Sequence, residues 1–259
     1  MHLALIAAAA TTGLFIGMVI CSEIGRRLGK ARLAGHPEGL MEGVGAVEGA
    51  VFGLLGLLIA FTFSGAASRF EDRRHLITEE ANDVGTAYLR LDLLPAAAQP
   101  EMRELFRRYL DARIASYLNL ADPVATAARR AEAAALQTEI WAKASAASQA
   151  PGVPSQTGML LLPALNEMID ITTTRATAMQ NHPPAIVFVL LAGLSLVAAL
   201  LVGYGTSTNN RRPWFYNLVF AGILSATVYV IVDLELPRLG VIRVDAADQV
   251  LIDLRESMR

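Results

Sequence analysis

The chain has 259 residues, 54% of them apolar and only 18% charged, where ordinary soluble domains carry about 45 to 50% and about 25%. Its 22 basic and 24 acidic side chains leave a net charge of −2, so the basic stripe of a nucleic-acid binder is absent. Cys21 is the single cysteine and His2, His36, His75 and His182 lie far apart, which excludes an internal disulfide and a zinc module. With a mean hydropathy of +0.42, the composition points to an integral membrane protein.

Residues 3–21, 49–67, 185–204 and 214–232 each run without a charge for the roughly 20 residues that a helix needs to cross a 30 Å hydrocarbon core. The first run has no basic residue before it and no small-residue cleavage site before Arg26 and Arg27, so it is read as a retained span rather than a signal peptide. Cys21 follows Ile20 instead of a small residue, which fits a packed side chain better than a lipid-modified one. Four crossings put both termini on the same side as the long segment between spans two and three. Arg26, Arg27, Lys30, Arg32, Arg211 and Arg212 belong to the two short loops and favour a cytoplasmic position for them. Arg69, Arg73, Arg74, Arg175, Arg238 and Arg243 flank the spans on the opposite side and nearly cancel that bias, leaving the side of the insert open. Tyr204, Trp214, Phe215 and Tyr216 stand at span ends, where amphipathic rings meet headgroups.

No proline interrupts residues 44–94, so the second helix is expected to continue far beyond the bilayer. Outside it, Ile77, Ala81, Val84, Tyr88 and Leu91 follow steps of four and three, an a/d seam that needs partners. Residues 101–120, with Phe106, Leu110, Ile114 and Tyr117, supply one partner; an alanine-rich helix opened by Asp122 as N-cap and Pro123 supplies another. A Pro-Gly-x-x-Pro turn at 151–154 ends it, a helix over 156–181 bent at Pro163 follows, and Pro183-Pro184 separates that helix from span three. The expected fold is all-α: a four-helix transmembrane protein with a helical-bundle insert. Its divisions are 1–67 (spans one and two), 68–184 (insert), 185–232 (spans three and four) and 233–259 (C-terminal tail).

The sequence contains no nucleotide loop, HExxH or GxSxG motif, and neither catalysis nor a metal or cofactor is expected. Glu48 is the ionisable residue near the start of span two, where a buried carboxylate costs about 2.5 to 3.5 kcal/mol unless it reaches water, a cavity or a partner. Gly45, Gly49 and Gly53 recur every fourth residue, with Gly56 nearby, a spacing that allows close helix packing. Leu57, Phe61, Ser64 and Ser68 continue at helical spacing, so one face runs from glycine to bulky apolar to hydroxyl. In a ring of such helices, Gly53, Leu57, Phe61 and Ser64 would line an apolar constriction; in a monomer they would be core. Arg69, Arg73 and Arg74 form a basic turn. Glu79, Glu80 and Asp83 form an acidic one whose i,i+4 repulsion calls for cations from elsewhere, Arg175 being a candidate. Asn166, Asp170 and Thr173 share a helix face, and Asp233, Glu235 and Arg238 gather where span four ends, as anchor or as mouth charges.

Three runs carry a family likeness. GLLGLLIAFTFSGAASRFEDRRHLITEEANDVGTAYLRLDLLP (53–95), LPALNEMIDITTTRATAM (162–179) and DLELPRLGVIRV (233–244) resemble the bacterial bestrophin-like domain family. Through the layout of spans and the Ser68-Arg69-Phe70 junction, the chain is more distantly similar to bestrophins, pentameric anion channels with a helical domain between spans two and three. The likeness implies a homo-oligomer in the lipid bilayer, a pentamer by analogy, with Gly53, Leu57 and Phe61 at neck positions. Gly53 departs from the expected neck residue, the paired tryptophans after the arginine are missing, and no acidic calcium-clasp run follows span four, so calcium gating is not implied.

Two functions follow as expectations for a multi-pass protein of the cell membrane, the inner membrane in a bacterium. One is an oligomeric, anion-permeable channel lined by span two. The other is a non-conducting sensor or scaffold acting through its insert. On either, the protein should stay in the membrane fraction through high-salt and alkaline washing, because four apolar helices are not released electrostatically. Release by alkali, followed by immunoblotting of both fractions, would refute the span assignment.

Overall fold

The computed structural model describes residues 2–35, 44–118, 122–208 and 214–258. These form helices α1 (His2–Gly35), α2 (Val44–Arg90), α3 (Gln99–Leu118), α4 (Pro123–Ser148), α5 (Ser155–Gln180), α6 (Ala185–Gly205), α7 (Trp214–Leu234) and α8 (Gln249–Ser257). Among the described residues there is no strand, and four helical stretches are long and apolar enough to cross a membrane. The fold is all-α, as the hydropathy pattern predicts.

Local chemistry explains the boundaries. α2 contains no proline and stays helical for 47 residues before a 3-10 turn at Leu91–Leu93 and Pro95 end it. Asp122 caps α4, its carboxylate accepting from the N–H of Val124 at 2.9 Å and of Ala125 at 3.0 Å, with Pro123 at the first helical position. In the turn after α4, Gly152 has φ +85°, a left-handed conformation that a side chain would strain. Pro163 lies inside α5 without ending it, whereas Pro184, extended at φ −55° and ψ 140°, precedes α6 as its N-cap.

The chain divides into two compact units: residues 1–70 with 182–243, and 71–181 with 244–259. In the first, α1 packs along α6 and α7. Small residues permit the α1–α6 approach: a Cβ on Gly25 would collide with the Leu200 carbonyl, and one on Gly203 with the Ser22 carbonyl. Met18, Leu191, Ala198, Ala199, Ala221 and Leu224 form the core between these helices, and Phe52 meets Phe220 edge to face at 6.2 Å. In the second unit the a/d seam of α2 is buried throughout, from Ile77 through Ala81, Val84 and Tyr88 to Leu91. Phe106, Tyr109 and Leu110 of α3, Ile140 of α4, Leu161, Leu165 and Met168 of α5 and Leu251 of α8 complete that core. Arg255 of α8 grips Asp111 of α3 through two bonds of 2.8 and 3.0 Å.

One expectation needs correction. Arg26, Arg27, Lys30 and Arg32 are not loop residues, because α1 continues to Gly35. Arg26 donates to Glu23 at 2.9 and 2.7 Å, and Arg27 donates to the same carboxylate at 2.9 Å, so pairing along the helix accompanies the continuation of α1 past its apolar run. His36, Leu120, Arg211 and Arg212 lie outside the described residues.

Close packing at Gly203 generates a sharp expectation. Gly203→Ala should lower thermal stability in detergent by about 1 to 3 kcal/mol through overpacking. Gly193→Ala, whose methyl would meet nothing within 4 Å, should be neutral or slightly stabilising. Equal melting temperatures for the two variants would contradict the close α1–α6 approach.

Candidate functional site

Residues 53, 57, 61 and 64 of α2 differ by steps of four, four and three, and so share one face of an unbroken helix. That face is bare. Leu57 is 53% and Phe61 68% exposed, Ser64 is exposed, and a Cβ on Gly53 would meet nothing within 4 Å. Gly45, Gly49 and Gly56 are equally open, so none of these glycines serves a close contact among the described residues. The opposite face carries Leu55 and Ala66 into the core, with Phe52, Leu58 and Ile59 packed against it. Among the described residues nothing therefore makes Phe61 a core residue.

Glu48 lies one turn before this stripe. It is half-buried, its Oε1 is enclosed and receives no hydrogen bond, and a Cβ on Gly205 would lie 2.9 Å from that oxygen. The carboxylate is thus set against the last turn of α6.

Where α2 leaves the apolar stretch, Arg69 donates from Nε to Glu235 Oε1 at 2.9 Å, and His182 Nδ1 lies 3.2 Å from Glu235 Oε2. Glu235, 5% exposed, joins the end of the span segment of α2, the connector before α6 and the turn after α7. Asp233 holds that turn: its carboxylate accepts from the N–H of Val241 at 2.9 and 3.0 Å and of Ile242 at 2.7 Å. Gly240 is required beside it, since a Cβ there would collide with the carboxylate. Arg238 lies within the same turn and is partnered.

In the second unit, buried Arg73 donates to the carbonyls of Ala178 at 3.1 Å and Asn181 at 2.9 Å, neutralising the end of α5. Glu80 is fully buried and accepts from Arg113 Nε at 2.6 Å and from Arg175, while Arg113 also donates to the Tyr117 hydroxyl. Arg175 stacks 4.2 Å above the Tyr117 ring. Burial alone would raise the Glu80 carboxyl, but Arg113 and Arg175 together hold it below the ordinary carboxylate range. Arg175 thus meets Glu80 rather than Glu79 or Asp83. Glu79 is exposed, and Asp83 is pushed up to about 6 by burial first and then by Glu167, Glu79 and Glu80.

The residues picked out by sequence consequently form separate groups: the bare stripe, Glu48 against α6, the Glu235 and Asp233 turn, and the Glu80 cluster. Arg113, His182 and Glu167 are the participants that sequence reasoning missed. Arg113 left a signal, since it continues the Phe106 and Leu110 face at a step of three, and a charge on a buried face needs a counter-charge. No sequence signal brings His182 to Glu235.

An all-α chain with four helical stretches long and apolar enough to cross a membrane is of the membrane-protein class. Its family model, Bestrophin-like domain, matches residues 12–248, and the chain belongs to that family. No curated protein and no solved structure matches the sequence.

Asp83 makes the second unit pH-sensitive. Its folded carboxyl stands above the ordinary 3.8, so the folded state holds the proton longer than the unfolded one. Stability is therefore lost as pH rises from about 4 to about 6. Asp83→Asn should raise the melting temperature at pH 7.5 and lose that advantage towards pH 4. A constant difference between variant and wild type across this range would remove the assignment.

Proposed function

We propose that the protein acts as a homo-oligomeric ion channel, a pentamer by family analogy, in which α2 of each copy faces the axis. The observation that carries this reading is the bare stripe of Gly53, Leu57, Phe61 and Ser64. It lies on a helix whose other face is packed, and it changes from glycine through bulky apolar side chains to hydroxyl. Around an axis, Leu57 and Phe61 form a narrow apolar waist that opposes ion passage by dewetting, and Ser64 and Ser68 offer hydroxyls beyond it. The likeness to bestrophin anion channels makes anions the expected permeant class.

A second reading, a sensor or scaffold that binds a partner through the insert, has its own observation. Leu89 is 71%, Leu93 42%, Met159 73% and Leu160 48% exposed, and Arg90 donates to the Leu160 carbonyl at 2.5 Å, which draws α2 and α5 together beneath these side chains. An apolar patch on an extramembrane surface suits a protein partner.

Flux and stoichiometry decide between them. Purified protein in liposomes should pass ions, with chloride and potassium compared under opposed gradients. Phe61→Ala should increase flux without changing the detergent-solubilised assembly, because it widens the waist. A monomer in detergent, or a ring whose flux is unaffected by Phe61→Ala, would end the pore assignment and favour the scaffold reading.

A further inference from the structure

Glu48 presents an imbalance that neither reading uses. Its Oε1 is enclosed by the protein and accepts no hydrogen bond, although a carboxylate without a donor is strongly disfavoured in an apolar surrounding. The described part of the neighbouring surface supplies no donor to it. It is the carboxyl end of α6, where a helix carries partial negative charge and leaves carbonyl oxygens without helical partners. The donors of its last turn are already engaged: the Thr206 N–H bonds the carbonyls of Tyr204 and Val202, and the Thr206 hydroxyl lies 2.8 Å from the Val202 carbonyl and 3.1 Å from that of Gly203. Gly205 lets the carboxylate come close, since a Cβ there would stand 2.9 Å from Oε1. On the far side of the same helix end, the Ser207 hydroxyl is also buried, 3% exposed, and without a partner. Among the described residues, a carboxylate and the negative end of a helix have been brought together with no ion pair between Glu48 and a basic side chain.

We propose that Glu48 and the last turn of α6 hold a small monovalent cation of the alkali class, with Glu48 Oε1 as the charged ligand and backbone oxygen or water completing the shell. The charge balance favours a single positive charge, because one carboxylate offers one negative charge. Among the described residues no group of three His, Cys, Asp or Glu side chains is placed to hold a multivalent metal ion. Bound there, the cation ties the start of α2 to the end of α6. The proposal does not depend on conduction.

The test uses the full chain in detergent at fixed pH and ionic strength, with N-methyl-D-glucamine chloride replaced stepwise by sodium or potassium chloride. The melting temperature of the wild type should rise saturably by about 5 °C in at least one alkali salt. Glu48→Gln, which keeps the shape and removes the charge, should abolish the rise while Asp72→Asn, an exposed carboxylate on the same helix, retains it. Gly205→Ala, which crowds Oε1, should move the salt midpoint upward by about tenfold and supplies the answer if Glu48→Gln does not assemble. Identical melting in all three salts overturns the proposal, as does an unchanged midpoint in Gly205→Ala or a full response in Glu48→Gln. A rise reproduced in N-methyl-D-glucamine by lowering the pH also overturns it, since a proton would then suffice.

Discussion

One helix, α2, belongs to both compact units and must satisfy two solvents. At about 1.5 Å per residue, the 47 residues of α2 extend for roughly 70 Å, more than twice the thickness of a hydrocarbon core. Its backbone hydrogen bonds are made internally along the whole length, which lets it leave lipid without a break. Its side chains change character at Arg69. Before that point its fully buried side chains, Leu55 and Ala66, are apolar; after it the buried face alternates Ile77, Ala81 and Val84 with Arg73 and Glu80. The uncovered side changes as well, from glycine and phenylalanine to serine and then to exposed carboxylates such as Asp72 and Glu79.

The charges on the buried side are each matched by a distant segment rather than by helix neighbours. Burying an ion pair seldom adds much stability over a hydrophobic contact, yet removing one member strands the other at a cost of about 3 to 5 kcal/mol. Glu80 with Arg113 and Arg175, and Arg73 with the end of α5, therefore discriminate among ways of packing the insert more than they strengthen it. A helix slipped by one turn against α3 or α5 would keep much of its apolar contact and lose every one of these pairings. In that sense the cluster acts as a register mark for α2 against α3 and α5.

Spans, insert helices and the face of α2 were readable in the sequence because each depends on a local period or a local stop. Charge-free runs of bilayer length marked the spans, Asp122-Pro123 marked the start of α4, and the absence of proline from 44 to 94 marked the length of α2. The extent of α1 was misread because Arg26 and Arg27 resemble a loop until Glu23, three and four residues earlier on the helix, is seen to pair with both. Long-range partners were a different matter. Arg69 with Glu235 and Glu80 with Arg175 are separated by 166 and 95 residues, and one sequence offers no rule for which carboxylate an arginine will choose. The missing donor at Glu48 was likewise invisible, since it depends on where α6 stops and on what Thr206 does with its own hydrogens.

The Glu235 junction also bears on how the chain is made. Arg69 leaves the ribosome long before Glu235, and His182 lies between them in sequence, so the first two spans and the entire insert are synthesised while the carboxylate that closes the junction does not yet exist. Until span four has emerged, the end of the second span is held by its helix and by apolar contact alone. Asp233, two residues ahead of Glu235, then folds the following turn back through the amides of Val241 and Ile242. The fourth span thus carries the latch for the second, and a chain arrested before it would have its first three spans but not the tie at the end of the second.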